Sequence, residues 1–234
     1  IRRASKKAPS RTSTTMNQAL KLLLAAPMLW ASAFATLPAQ AQDAAAGEKK
    51  ASMCIGCHGI PRYQASFPEV YKVPLISGQG AKYIASALAA YKKGERKHPT
   101  MKAIAASLSE QDMADLAAFY STQAGPATAE SAPAPTPPST VAELLKKGNC
   151  ASCHGENLNK PIDPSYPKLA GQHADYLYVA LKAYQTEGNP QVGRGNAIMG
   201  GMAKPFSHAE LKQLAGYLAT LPGDLKTVPE SRFR

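Results

Sequence analysis

The feature that most limits what this 234-residue chain can fold into is that much of it is written twice. Residues 51–59, ASMCIGCHG, return as residues 147–155, KGNCASCHG, at an offset of 96. PLISGQ at 74–79 returns as PKLAGQ at 167–172, an offset of 93, and Met101–Tyr120 returns as Met199–Leu218, an offset of 98. The order is kept and the offset drifts only in the connecting stretches, so the chain holds two homologous domains. Between them, residues 124–140 read AGPATAESAPAPTPPST, with five prolines and almost no large apolar side chain. Such a stretch builds no core and reads as a semi-rigid, extended linker. The expected organisation is a first domain over 43–123, a linker over 124–138, a second domain over 139–224 and a polar tail over 225–234. Domains of about 80 residues stabilise themselves only marginally, and a large buried ligand would add to their cores.

The start of the chain reads differently. Met16 and Lys21 precede an apolar run from Leu22 to Leu37, and Ala39-Gln40-Ala41 forms a small-x-small site. This is the pattern of a secretory signal peptide cleaved before Gln42, after a basic upstream stretch over residues 1–15. The alternative, a retained membrane anchor, needs roughly 20 unbroken apolar residues, and Pro27 interrupts a shorter run. Without residues 1–41, six of the 27 basic side chains go and no acidic one does. The remaining 21 basic and 16 acidic residues give +5 in place of +11. That is no nucleic-acid footprint. Export would place the mature chain in the periplasm, and peripheral membrane association stays open.

Both domains read as helical. Tyr83, Ile84, Leu88 and Tyr91 share one helical face, and Tyr176, Leu177, Leu181 and Tyr184 share its counterpart. The last helix of each domain opens on a capping signature, Ser109-x-x-Asp112 and Ser207-x-x-Glu210. Met113, Leu116, Ala117 and Tyr120 then form an apolar stripe, matched by Leu211, Leu214, Ala215 and Leu218. No stretch alternates as a strand does. The predicted fold class is all-α, two tandem helical domains behind an N-terminal signal peptide.

All four cysteines lie in the first repeated block, as Cys54-Ile-Gly-Cys57-His58 and Cys150-Ala-Ser-Cys153-His154. C-x-x-C-H is the attachment signal of c-type haem. On a helix, positions i, i+3 and i+4 share a face. Two thiols can thus bond the vinyl groups at the rim of one flat ligand while the imidazole reaches its iron. Three other uses of such cysteines fit the pattern less well. Zinc would need the two pairs to meet across 92 residues, a thioredoxin-like pair needs a βαβ setting, and a disulfide gives no reason for the following His. Two covalently bound haem c groups are therefore expected.

A sixth ligand for both irons should occupy matching places in both copies. Met101 and Met199 do, each eight residues before the capping serine and each in a Pro- or Gly-rich stretch read as a loop. Met202 is a rival whose counterpart is Ile104. His98, His173 and His208 have no counterpart histidine, and His98 lies nearest a ligand candidate.

These motifs resemble the class I c-type cytochromes, in tandem as in the cytochrome c4 family, over Ala46 to about Leu221. The resemblance rests on both C-x-x-C-H motifs, on the Gln79 and Gln172 segments, and on the paired Met…Ser-x-x-Asp/Glu endings. It implies class I cytochrome c-like domains, with His58 and His154 as proximal ligands and Met101 and Met199 as distal ones. It also implies two haems near each other and a role as a periplasmic electron carrier, often toward terminal oxidases. The expected partners are redox proteins: a membrane oxidase or reductase complex, or a dehydrogenase. The expected site set is Cys54, Cys57, His58, Met101, Cys150, Cys153, His154 and Met199, with no catalytic residue. A di-haem enzyme, peroxidase-like or thiosulfate-oxidising, is the alternative, as is a cytochrome subunit fixed on a dehydrogenase. The first domain departs from the family pattern in residues 60–73, an insert with several aromatics and prolines.

Overall fold

The computed structural model describes residues 42–124 and 133–229. The expected basic stretch and signal peptide, most of the proline-rich linker and the end of the tail lie outside the described residues. The first repeat builds α1 (Ala44–Lys50), α2 (Ser52–His58), α3 (Ala81–Lys93), α4 (Pro99–Ala106) and α5 (Glu110–Ser121). The second builds α6 (Ser139–Lys147), α7 (Ala151–His154), α8 (Ala174–Gln185), α9 (Ala197–Ala203) and α10 (His208–Thr220). Among the described residues, no helix is long and apolar enough to cross a membrane.

Local chemistry explains the helix starts. The Asp43 carboxylate accepts the Ala45 and Ala46 N–H groups at the head of α1. Ser109 and Ser207 each close a complete capping box, with Asp112 and Glu210 returning the bond. Each box satisfies two backbone donors that the first turn would otherwise strand. The stripes read from sequence face inward: Met113, Leu116, Ala117 and Tyr120 are buried in α5, and Leu211, Leu214, Ala215 and Leu218 in α10. The last helix of each repeat packs on its long middle helix, α5 on α3 and α10 on α8.

The helical reading needs one addition. Among the described residues are four strands of two residues each, too short to leave an alternating pattern. β1 (Gln64–Ala65) and β2 (Tyr71–Lys72) fold the 60–73 insert into an antiparallel pair. β3 (Arg96–Lys97) and β4 (Gly193–Arg194) pair antiparallel across the two repeats, Arg96 opposite Arg194. Ion pairs reinforce that junction, Lys72 with Asp175 at 3.0 Å and Glu69 with Lys182. Past α10 the chain stays on the body: Leu225 is buried, and the Lys226 N–H donates to the Ser77 carbonyl of the first repeat at 3.1 Å. The two repeats therefore make one compact unit.

Candidate cofactor site

All eight residues singled out from the sequence line one cavity of ≈ 790 Å³ that runs between the repeats. Its wall is largely apolar, with Ile84, Leu88 and Leu116 on one side and Leu177, Leu181 and Leu214 on the other. Helix α2 carries Cys54, Cys57 and His58, so its i, i+3, i+4 spacing brings them to one face. In the second repeat α7 is a single turn with Cys150 at its cap, and the His154 N–H donates to the Cys150 carbonyl at 3.1 Å. Gly155 ends that turn at φ +81°, and a Cβ there would meet the Lys160 carbonyl oxygen at 2.1 Å. Only glycine suits both demands.

The four cysteines form no disulfide. Burial pushes the Cys54 and Cys150 thiols up, which opposes a nucleophilic redox role for them. Among the described residues, no group of three or more His, Cys, Asp or Glu side chains is placed to hold a metal ion.

The two histidines are set identically. His58 Nδ1 lies 2.9 Å from the Pro74 carbonyl oxygen, and His154 Nδ1 lies 2.9 Å from that of Pro167. A carbonyl only accepts, so Nδ1 carries the proton in each ring. Burial pushes both imidazoles below their ordinary range and keeps them neutral. Each ring is left with Nε2 as a free lone pair on a side chain that lines the cavity, the state a metal requires.

The methionines do not sit in loops, contrary to the sequence reading. Met101 is in the first turn of α4 and Met199 in the first turn of α9. The reason is capping: the Met101 N–H donates to His98 Nδ1 at 3.2 Å, and the Met199 N–H donates to Asn196 Oδ1 at 2.9 Å. His98 thus has a counterpart, Asn196, which fills the same cap with another acceptor. A search for matching histidines misses it. His208 is exposed just past its cap. Met202 also lines the cavity and is 39% exposed.

Sequence reasoning passed over two arginines. Arg96 and Arg194 are partly buried and line the cavity, and the offset of 98 that relates the methionines relates them too. Arg96 donates to the Tyr83 hydroxyl at 3.1 Å and Arg194 to that of Tyr176 at 3.0 Å. Each guanidinium also lies over tyrosine rings, Arg96 over Tyr83 at 5.1 Å and Arg194 over Tyr184 at 5.4 Å. Among the described residues, neither makes an ion pair. Partly buried cations without carboxylates fit a ligand that brings its own, as haem does. The Tyr120 hydroxyl is buried at the cavity wall beside the Cys54 thiol; its counterpart is Leu218. Thiols, neutral imidazoles, apolar walls and unpaired cations all suit haem.

The fold and this site define a c-type cytochrome with two covalently bound haem c groups, one on each Cys-x-x-Cys-His motif. The cytochrome c family profile matches residues 139–222. A cytochrome c4 of Thiocapsa roseopersicina is 33% identical over 196 residues, covering 78% of this chain and 94% of that protein. A thiosulfate dehydrogenase electron acceptor of Stutzerimonas stutzeri is 30% identical over 183 residues, covering 75% of this chain and 82% of that protein. The crystal structure of reduced recombinant cytochrome c4 from Pseudomonas stutzeri superposes with a TM-score of 0.56 at 27% identity, over 77% of this chain and 100% of that one. The chain belongs to the cytochrome c4 family.

Proposed function

We propose that this electron-transfer protein is a periplasmic carrier passing single electrons between redox proteins, and no enzyme. In this reading His58 and Met101 would hold one haem iron, and His154 and Met199 the other. The observation that carries it is the matched pair of neutral imidazoles, each with Nδ1 committed to a proline carbonyl and Nε2 free, in a cavity shared with a methionine of its own repeat. A haem held this way supplies a one-electron ferric–ferrous couple. A thioether ligand would favour ferrous iron, and with both His and Met committed to the iron neither repeat would offer a substrate an open position. The apolar wall excludes water, and Arg96 and Arg194 offset the carboxylates that enter with the cofactor.

The signal-peptide pattern supports the periplasm. A dehydrogenase as electron donor has support in the relative named as the electron acceptor of thiosulfate dehydrogenase. The test is the optical spectrum of the purified protein with carbon monoxide added to the ferrous state. Two low-spin haems with the ferric methionine–iron band and no rapid carbon monoxide binding are expected. A high-spin haem or a rapid adduct at one iron transfers the reading to a di-haem enzyme.

A further inference from the structure

Gln79 and Gln172 are buried at the junction of the repeats, each 4% exposed, and each grips the other repeat's backbone. Gln172 Oε1 accepts the Leu75 N–H at 2.9 Å, and its Nε2 donates to the Leu75 carbonyl at 2.9 Å. Gln79 does the same in reverse: Oε1 accepts the Lys168 N–H at 2.9 Å, and Nε2 donates to the Lys168 carbonyl at 3.0 Å. The two side chains act as crossed peptide mimics.

What they grip matters more than the grip. The Leu75 N–H belongs to the same peptide group as the Pro74 carbonyl, which accepts from His58 Nδ1. The Lys168 N–H likewise shares its peptide group with the Pro167 carbonyl, which accepts from His154 Nδ1. When a peptide N–H donates to a good acceptor, its own carbonyl becomes more negative and accepts more strongly, because hydrogen bonds in a chain polarise one another. A stronger acceptor at Nδ1 gives the ring more imidazolate character and makes Nε2 a better electron donor.

We infer that Gln79 and Gln172 are crossed positioning residues, each setting the electron-donating strength of the other repeat's proximal histidine and so the potential of the other repeat's haem. The chain His58–Pro74–Leu75–Gln172 runs from the second repeat to the first iron, and His154–Pro167–Lys168–Gln79 runs from the first repeat to the second. Docking of the repeats thereby becomes an input to both potentials: loosening the junction weakens both relays together. The inference rests on His58 and His154 being the proximal ligands.

The crossing makes the test sharp. Spectroelectrochemistry of the full holoprotein, with each haem followed through the resonances of its own histidine ring, is run on wild type, Gln172→Leu and Gln79→Leu. Gln172→Leu removes the acceptor facing Leu75, weakens imidazolate character at His58 and raises the potential of the first repeat's haem. One electron then divides between the haems differently by about two- to tenfold, in line with one hydrogen bond's worth of energy; tenfold corresponds to 59 mV. The His58 Nδ1 proton of the ferrous protein moves upfield. Gln79→Leu gives the mirror result at His154. A variant that shifts its own repeat's haem, both equally, or neither while helicity and haem content stay native overturns the relay. Should Gln172→Leu lose haem or helicity, Gln172→Asn decides: its amide is one methylene shorter, so the acceptor oxygen draws back from the Leu75 N–H while the site stays polar and uncharged, and the first haem's potential must rise; a fall or no change overturns the proposal. Axial ligation is read beforehand from the wild-type spectrum, so failure there is distinguishable from failure of the relay.

Discussion

Gly47 and Glu143 stand at the same place in the two repeats, related by the offset of 96 that relates the cysteines, yet they seal the fold in opposite ways. In the first repeat α1 lies against the backbone of α5, and a Cβ on Gly47 would fall 2.1 Å from the Asp115 carbonyl oxygen. The Asp115 carboxylate, 2% exposed, takes the Asp43 N–H at 3.0 Å, Lys50 Nζ at 3.1 Å and Gln111 Nε2 at 2.6 Å. In the second repeat Glu143 is exposed, and so is Gln213, the counterpart of Asp115. There Leu144, Phe206, Leu211 and Leu214 form one buried cluster, with Lys147 Nζ 4.5 Å above the Phe206 ring. The last three match the buried Leu108, Met113 and Leu116, so what the second repeat adds is the larger Phe206 and Leu144, where the first repeat has the exposed Glu48. One fold position thus tolerates a backbone contact capped by a polar network or a wedge of large apolar groups. The first choice demands one residue without a Cβ and one carboxylate; the second demands volume.

That contrast can be broken from either side. The largest effect is expected from Phe206→Ala, which opens the apolar seam and should cost the second repeat about 3–5 kcal/mol. Hydrogen exchange resolved by residue checks it, and protection should fall in α6 and α10 while α1 and α5 hold. Gly47→Ala comes next, at about 1–3 kcal/mol, because the contact is with backbone that cannot swing aside. Its loss of protection should be confined to the first repeat.

Asp115→Asn probes the polar half by pH. The carboxyl is held below its ordinary value of 3.8, chiefly by the Asp43 N–H and then by Gln111 and Lys50. A group depressed in the folded state contributes stability above its unfolded pKa and loses it as pH falls. The wild-type advantage over Asp115→Asn should therefore be full at neutral pH and fade as pH drops below 3.8, leaving the second repeat unaffected. Thermal melts across pH 2–7 measure the difference, and a constant gap would remove the network from the account. Glu143→Ala, at the exposed counterpart of Gly47, should move stability by no more than about 0.5 kcal/mol.

The same contrast shows what the sequence makes legible. Both Cys-x-x-Cys-His turns, both capping boxes and both apolar stripes are set by neighbours within a few residues, and they read directly from periodicity and spacing. The cap on Met101 was invisible because His98 and Asn196 share an acceptor and not a residue type. Arg96, Arg194, Gln79 and Gln172 recur at the repeat offsets, yet recurrence alone gives them no role. Their contacts run along the cavity and across the junction, and how two repeats dock is not written in the period of either.

Axial closure of both irons is the central claim, and the two methionines test it most directly. Redox titration and carbon monoxide binding are to be compared among wild type, Met101→Ala, Met199→Ala and Met202→Ala. Loss of a thioether removes the preference for ferrous iron and leaves an exchangeable site. Met101→Ala should therefore lower the potential of the first repeat's haem alone and open it to carbon monoxide. Met199→Ala should do the same in the second repeat, and Met202→Ala should do neither. If Met202→Ala opens the second haem while Met199→Ala leaves it closed, the symmetry between the repeats has been misread at its most important point.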